Sequence, residues 1–276
     1  MPVGIESDYR SRIYARYTSE KLPHLLDSTE ANYEHWAAAC RRRLRGWLPS
    51  SREARCLDVA CGHGNLLYLL REAGYHNISG VDVSPEQAAV ARKVWPDVEC
   101  ENVLDYLSSH TGEFDLITGF DIIEHLHKAE IIEFLDLVRK ALRPGGTVIL
   151  QTPNAESPWG GMHRYHDFTH ETGFDPASLA HVLLVAGLRE FEVRECGPYV
   201  HGATSAARAA LWKMISSGLA VWNLAETGSR GSGVYTRVFV ARAQRPAEPL
   251  PWGGRSEDVR SEDVLPRIVG PAIALG

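Results

Sequence analysis

The chain has 276 residues, 44% hydrophobic and 23% charged, with a formal net charge of −6; that length suits one domain with additions, burying about three quarters of the unfolded surface. The acidic balance excludes a global basic field for nucleic acid, and no apolar run has the length of a membrane span or the form of a signal-peptide core. Cys40, Cys56, Cys61, Cys100 and Cys196 are odd in number and lack metal-ligand spacing, which fits reduced thiols in a cytoplasm.

Residues 8–49 read as a helical preface in which Arg12, Tyr14 and Tyr17 occupy neighbouring helical positions, and Arg41-Arg42-Arg43-Leu44-Arg45 as a solvated helix face. The most informative stretch follows. In Cys56-Leu57-Asp58-Val59-Ala60-Cys61-Gly62-His63-Gly64 a buried strand, 54–60, breaks into a glycine turn whose backbone a ligand can approach. A helix over 65–73 follows it. The next strand, 78–83, carries Asp82 at its carboxyl end, where a doubly wound sheet offers an acid to ribose hydroxyls. Leu67 stands where a dinucleotide fold wants its third glycine, and Asp58 within the turn suits a cationic ligand better than a pyrophosphate.

Further strands are predicted near 98–103, 114–120, 146–151, 189–195 and 234–242, and helices near 85–95, 128–142 and 176–186. Ser84-Pro85-Glu86 is a capped helix start, and Arg143-Pro144-Gly145-Gly146 stops a helix before the fifth strand. The alternation predicts a doubly wound parallel sheet covered by helices on both faces. Residues 1–49 form a helical cap and 50–242 the main domain. Residues 201–226 form an apolar helical insertion, one long helix or two short ones, that packs on the sheet, lids a site, makes a dimer face or rests on a membrane surface. Residues 243–276 are rich in Pro, Gly and charge, repeat Arg-Ser-Glu-Asp-Val at 255–264, and read as a disordered tail.

Two polar clusters hang from the carboxyl edge. Asp121, Glu124 and His125 are spaced i, i+3, i+4, so one helical turn sets all three on one face. After the fifth strand come Trp159, His163, Arg164, Tyr165, His166, Asp167, His170 and Glu171. The two clusters should face each other, with His125, His166, Asp167 and His170 as the catalytic candidates. Carboxylates and imidazoles converging there can hold Mg²⁺ or Mn²⁺, or brace a loop.

The glycine turn and the Asp82 strand resemble the first two motifs of the class I S-adenosylmethionine-dependent methyltransferases, over roughly residues 50–242, which implies a Rossmann-like, doubly wound sheet of seven strands with the last antiparallel. The resemblance implies that Gly62 and Gly64 face the methionine part of the cofactor, Asp82 the ribose and Asp105 the adenine amino group. It also sets Asp58, Ala60, Val83 and Phe120 around the cofactor, with Tyr14 and Tyr17 closing over it. Asp121-x-x-Glu124-His125 is similar to the Glu-x-x-Glu-His metal motif of the small-RNA 3′-terminal 2′-O-methyltransferases and the ubiquinone-pathway O-methyltransferases, with Asp121 in place of Glu and His170 as a further ligand. Thr152-Pro153-Asn154 through Glu171, and Asn223 through Gly228, resemble bacterial methyltransferases of polysaccharide and glycoconjugate clusters. These likenesses imply a cytoplasmic O-methyltransferase acting on a sugar or glycoconjugate hydroxyl. Trp159 or Tyr165 would stack on the acceptor and Arg164 would hold an anionic group on it. The alternatives are a small phenolic or other secondary-metabolite acceptor, or a silent cofactor-binding partner in a glycan assembly complex. No nucleic-acid partner and no stable membrane insertion are expected, and a homodimer is compatible.

Overall fold

Apolar strands alternating with amphipathic helices build one twisted sheet covered on both faces. The computed structural model describes residues 8–21, 23, 29–248 and 267–268. Three helices precede the sheet: α1 (Asp8–Tyr14), α2 (Tyr17–Lys21) and α3 (Glu30–Arg43). Then come β1 (Arg55–Val59), α4 (Asn65–Glu72), β2 (Asn77–Asp82), α5 (Pro85–Val94), β3 (Val98–Cys100), α6 (Val103–Ser108), β4 (Phe114–Phe120), α7 (Lys128–Ala141) and β5 (Leu142–Pro153). The chain continues through α8 (Gly160–His166), α9 (Pro176–Val185), β6 (Arg189–Glu195), α10 (Ala203–Thr227) and β7 (Val238–Gln244).

The strand order is β3-β2-β1-β4-β5-β7-β6, and a two-residue β8 (Arg267–Ile268) pairs parallel to β6 at the edge. β1 pairs parallel with both β2 and β4, whereas β7 runs antiparallel to β5 and β6. The predicted antiparallel last strand of the main domain is therefore present. β8 lies in the segment expected to be disordered. The rest of that tail from residue 249 on, with its duplicated pentapeptide, lies outside the described residues, as do residues 1–7, 22 and 24–28 of the preface.

Alternation along each strand splits the core in two. Leu57 and Val59 point toward α7 and α9, where Phe134, Leu135, Val138, Leu179 and Leu183 are buried, whereas Cys56 packs with Leu44, Trp47, Leu67 and Leu70 of the other layer. Replacing one such leucine by alanine costs about 2–5 kcal/mol. α10 stands apart, with Ser205 its one buried residue. Among the described residues no helix is long and apolar enough to cross a membrane.

Three expectations are corrected. The third strand ends at Cys100 instead of residue 103, because Asn102 turns the chain and caps α6, its Oδ1 accepting from Leu104 N at 2.8 Å. The fifth strand starts at Leu142, earlier than 146, because Leu142 already pairs with Phe114 across an irregularity in register. The seventh spans 238–244, displaced from 234–242, since its pairing with β5 runs from Val238 to Gln244.

Candidate active site

The strand order reverses between β1 and β4, and both strands leave the sheet through a left-handed residue that is not glycine: Ala60 at φ 51° and Asp121 at φ 54°. Each costs about 1–3 kcal/mol, strain that concentrates at functional edges, and this switch point is where open α/β sheets carry ligands. Gly62 and Gly64 continue the first turn at φ 56° and 93°. A Cβ on Gly64 would lie 3.3 Å from Ala91 Cα and from Val94, so the missing side chain also lets α4 begin against α5.

Asp82 braces the turn. Its Oδ2 accepts from Gly62 N and its Oδ1 from Ser84 N, each at 2.8 Å. Burial raises its carboxyl to about 6 against the pull of those two bonds, and its remaining lone pairs are available to ligand hydroxyls. Gln87 Oε1, buried without a partner among the described residues, lies beside Gly62, where a Cβ would come within 3.1 Å. An unused acceptor thus sits under an open glycine backbone. Asp58 stands behind the turn: its Oδ1 accepts from Thr118 Oγ1 of β4 at 2.7 Å, and burial pushes its carboxyl up to about 8.

Beyond β4, a single 3₁₀ turn over Ile123–His125 brings in the second cluster. Glu124 is buried; its Oε2 accepts from Thr152 Oγ1 at 3.0 Å and its Oε1 has no partner among the described residues. One ligand atom from each of Glu124, His125 and His170 lies within 4.8 Å of the others. Both imidazoles are held at Nδ1. His170 Nδ1 meets His163 O at 2.8 Å, which requires a proton on that nitrogen. His125 Nδ1 meets Thr169 Oγ1 at 2.9 Å, and the Thr169 hydroxyl in turn donates to Asp167 at 2.6 Å. The network assigns Nδ1–H to His125 as well, leaving both Nε2 lone pairs free. Burial lowers His125 to about 4 and lowers His170 too, while burial and the nearby Asp121 charge raise Glu124. The result is a close O,N,N donor set of a kind that could hold a metal ion.

The preface closes this region from above. Tyr17 donates to Asp167 Oδ2 at 2.7 Å and Lys21 pairs with the same oxygen, while the backbone N–H groups of Thr18 and Ser19 reach Glu86 Oε2 on α5. Tyr9 bonds Glu171, and Arg10 makes a two-pronged contact with Glu130 at 3.0 and 2.8 Å. Although burial opposes it, Asp167 is held well below the usual carboxylate range by the donors Lys21, Thr169 and Tyr17. One short segment therefore ties the glycine-turn side of the edge to the histidine side.

Residues 31–192, more than half of the chain, match a family model described as a methyltransferase domain. The chain belongs to this methyltransferase family. It is 28% identical over 138 residues to demethylmenaquinone methyltransferase of Chlorobaculum tepidum, covering 49% of this chain and 55% of that protein, so it spans about half the length of that relative. It is 32% identical over 192 residues to ubiquinone biosynthesis O-methyltransferase of Xanthomonas campestris pv. campestris, covering 62% of this chain and 72% of that protein. A SAM dependent methyltransferase from Archaeoglobus fulgidus is similar in structure at TM-score 0.57 and 20% identity, covering 75% of this chain and 94% of that one. The fold is that of the S-adenosylmethionine-dependent methyltransferases.

Within this methyltransferase the predicted residues sort by place. Ala60, Gly62, Gly64 and Asp82 form one continuous turn, followed by the exposed Val83; Asp105 is open to solvent in the first turn of α6. Phe120 meets Trp36 of α3 edge-on at 6.1 Å. His125, Asp167 and His170 come together as expected. Asp121 does not join their ligand set: its left-handed backbone breaks the helical spacing assumed for it, and its carboxylate instead accepts from Gln151 Nε2 at 3.1 and 3.2 Å. His166 is exposed and lines an open groove with Tyr9, Arg12, Tyr17, Lys21 and Phe168, outside the His125–His170 pair. Tyr14 and Tyr17 face the histidine side of the edge: Tyr14 lies edge-on to His125 at 6.4 Å, and Tyr17 holds Asp167.

Several residues of the methyltransferase gave no sequence signal. Tyr33 of α3 donates to His63 O at 2.9 Å and stacks on Tyr68, covering the glycine turn. Thr118, Gln151 and Thr152 hold the carboxyl groups of Asp58, Asp121 and Glu124, and Thr169 links His125 to Asp167. Neutral polar residues inside apolar strands and loops carry no spacing rule, so only contact identifies them.

Proposed function

We propose that this methyltransferase transfers the methyl group of S-adenosylmethionine to a hydroxyl oxygen of a sugar or glycoconjugate. Glu124, His125 and His170 would hold a divalent ion there, Mg²⁺ or Mn²⁺. The observation that carries this reading is a buried Glu124 whose Oε1 has no partner among the described residues, with one of its ligand atoms within 4.8 Å of one from His125 and one from His170, two rings whose Nδ1 bonds leave Nε2 available. A buried carboxylate oxygen without a partner costs about 1–3 kcal/mol or more, and a cation relieves that cost. The donor set fits such an ion, whose chemistry when bound is to lower the pKa of a coordinated hydroxyl.

The chain's own residues supply the rest. The glycine turn and Asp82 hold the cofactor by backbone approach and hydroxyl acceptance, and α3 covers the turn. Thr169 and His163 fix the two imidazole rings. The preface, anchored on Asp167 and Glu86, keeps water out while the methyl carbon and the acceptor oxygen are aligned in line. Trp159 and Tyr165 are 55% and 81% exposed, flat faces at an open rim that suit a sugar ring better than an enclosed apolar slot would. Arg164 is spent on the carbonyls of His170 and Glu171, so it orders the loop instead of gripping the acceptor.

The name of the ubiquinone biosynthesis O-methyltransferase relative favours a second reading, a phenolic or quinol hydroxyl, as acceptor. Isotopic methyl transfer to a panel of nucleotide sugars, glycan ends and phenols separates the two. Label in the saccharides alone is the expected result, and label in the phenols alone overturns the sugar assignment. Chelator should abolish turnover with cofactor binding intact, and Mg²⁺ or Mn²⁺ should restore it; full activity of pre-dialysed enzyme in excess chelator removes the metal. A silent cofactor-binding role fits less well, because it has no use for a buried, strained set of ionisable groups.

A further inference from the structure

α10 turns one face, centred on Trp212, toward the domain, and the opposite face is apolar and has no partner among the described residues. Ser205, Ala209, Trp212, Ser216, Leu219 and Asn223, spaced by four and three, lose exposure against the domain together with Ala220, and Trp212 Nε1 donates to Glu195 Oε2 at 3.2 Å. On the far side Ala207, Leu211, Met214, Gly218, Val221 and Ala225 repeat the same four-three spacing and are all exposed. Met214 is 72% exposed and Trp222 67%. A contiguous row of exposed apolar side chains of this kind marks an interaction surface. Arg208, Lys213 and Glu226 are its charged residues.

We propose that this outer seam is the dimer interface of the protein, closed by α10 of a second copy packed antiparallel across a two-fold axis near Ser216. The seam is complementary to itself in that arrangement and with that register. Reversing the helix about residue 216 sets Met214 over the partner's Gly218, where nothing lies within 4 Å of the absent Cβ. It likewise sets Leu211 against the partner's Val221 and Ala207 against the partner's Ala225. Met214 thereby fills a gap on the partner, Leu211 and Val221 form an apolar pair, and the two alanines let the helices approach closely at the ends, as packing of a self-complementary heptad seam allows. Charge agrees with shape. Arg208, Ile215 and Trp222 are seven apart along one flank, and the reversal brings Arg208 between the partner's Trp222 and the partner's Glu226, which already bond each other within a helix at 3.0 Å. Arg208 thereby gains a ring face and a carboxylate. The helix is about 37 Å long, so the seam extends over several turns. A lipid surface is the poorer occupant: two basic residues on a chain of net charge −6 give little attraction to anionic headgroups.

Sedimentation velocity of the full chain over a concentration series tests this, independently of the acceptor's identity. The expected result is a dimer that dissociates on dilution. Met214→Glu, at an exposed position outside the monomer's core, should weaken it by about tenfold or more. Arg208→Glu should weaken it too, and the double exchange Arg208→Glu with Glu226→Arg should restore it, because each pair is rebuilt across the two-fold axis. A monomer at every concentration overturns the proposal, as does a dimer indifferent to Met214→Glu and to the charge exchange. So does a monomer that sediments with vesicles of phosphatidylcholine and phosphatidylglycerol, which would give the seam to lipid.

Discussion

Replacing Asp58 with Asn should stabilise the ligand-free protein by an amount that grows with pH. Asp58 is 2% exposed and its carboxylate accepts one hydrogen bond, from Thr118. Burial, partly offset by that bond and reinforced by the Asp82 charge, pushes its carboxyl up to about 8 from an ordinary value of 3.8. Between those two values the folded protein keeps a proton that the unfolded chain has released. The stability this group contributes is therefore fully present below the unfolded value and is lost as pH rises toward the folded one, at about 1.4 kcal/mol per pH unit. Over the whole interval the loss is on the order of 5 kcal/mol. Asparagine carries no charge to desolvate, and its amide oxygen still accepts from Thr118. Urea unfolding of both proteins at several pH values isolates the group, since all others cancel in the difference. The gap should widen by about 3–4 kcal/mol from about pH 5 to about pH 8. A gap that stays constant over that range would refute the reasoning, because it would mean that Asp58 ionises as though solvated. Saturation with S-adenosylhomocysteine should flatten the widening if the ligand's ammonium group acts on this carboxylate.

Asp82→Ala should weaken binding of the demethylated cofactor by about 1–3 kcal/mol in calorimetry, and should lower stability by a similar amount for each of the Gly62 and Ser84 N–H groups it orphans; unchanged binding would remove Asp82 as a ligand. Gly64→Ala should cost about 1–3 kcal/mol in denaturant unfolding, because φ 93° strains any side chain and the new Cβ would press on Ala91 and Val94. Asp167→Ala should release the preface, costing about 3–5 kcal/mol as Lys21 and Tyr17 lose their partner, and limited proteolysis should then cut between α1 and α3; a preface that stays protected would show that Glu86 and Glu130 hold it alone. Glu124→Gln should abolish turnover while leaving cofactor affinity within about twofold, since its carboxylate contacts Thr152 and none of the turn residues.

What could be read directly from residues was what local chemistry dictates. The glycine turn is legible because only glycine relaxes into the left-handed backbone at 62 and 64. The start of α5 is legible because Ser84-Pro85 caps a helix wherever it occurs, and the doubly wound order follows from short buried strands alternating with helices. Even the pairing of His125 with His170 was foreseeable, since both hang from neighbouring strands on one edge. Errors fell where the outcome depends on a neighbour: β5 starts at Leu142 because that residue already pairs with Phe114 of β4. Asp121 left the ligand set because a left-handed backbone redirects it, a conformation that no spacing rule anticipates for aspartate.

The amino-acid sequence by itself thus determined the fold class, the glycine turn and the two polar clusters, because those depend on backbone propensities and on alternation over a few residues. Tertiary structure alone decided what each ionisable group does. Asp58 became a buried carboxyl on Thr118, Asp167 an anchor for Tyr17 and Lys21 almost 150 residues away, and His125 a ring fixed through Thr169. Whether a carboxylate acts as ligand, anchor or reluctant proton carrier depends on which donors surround it and how much water is excluded, and both are set by contacts between segments remote in the chain.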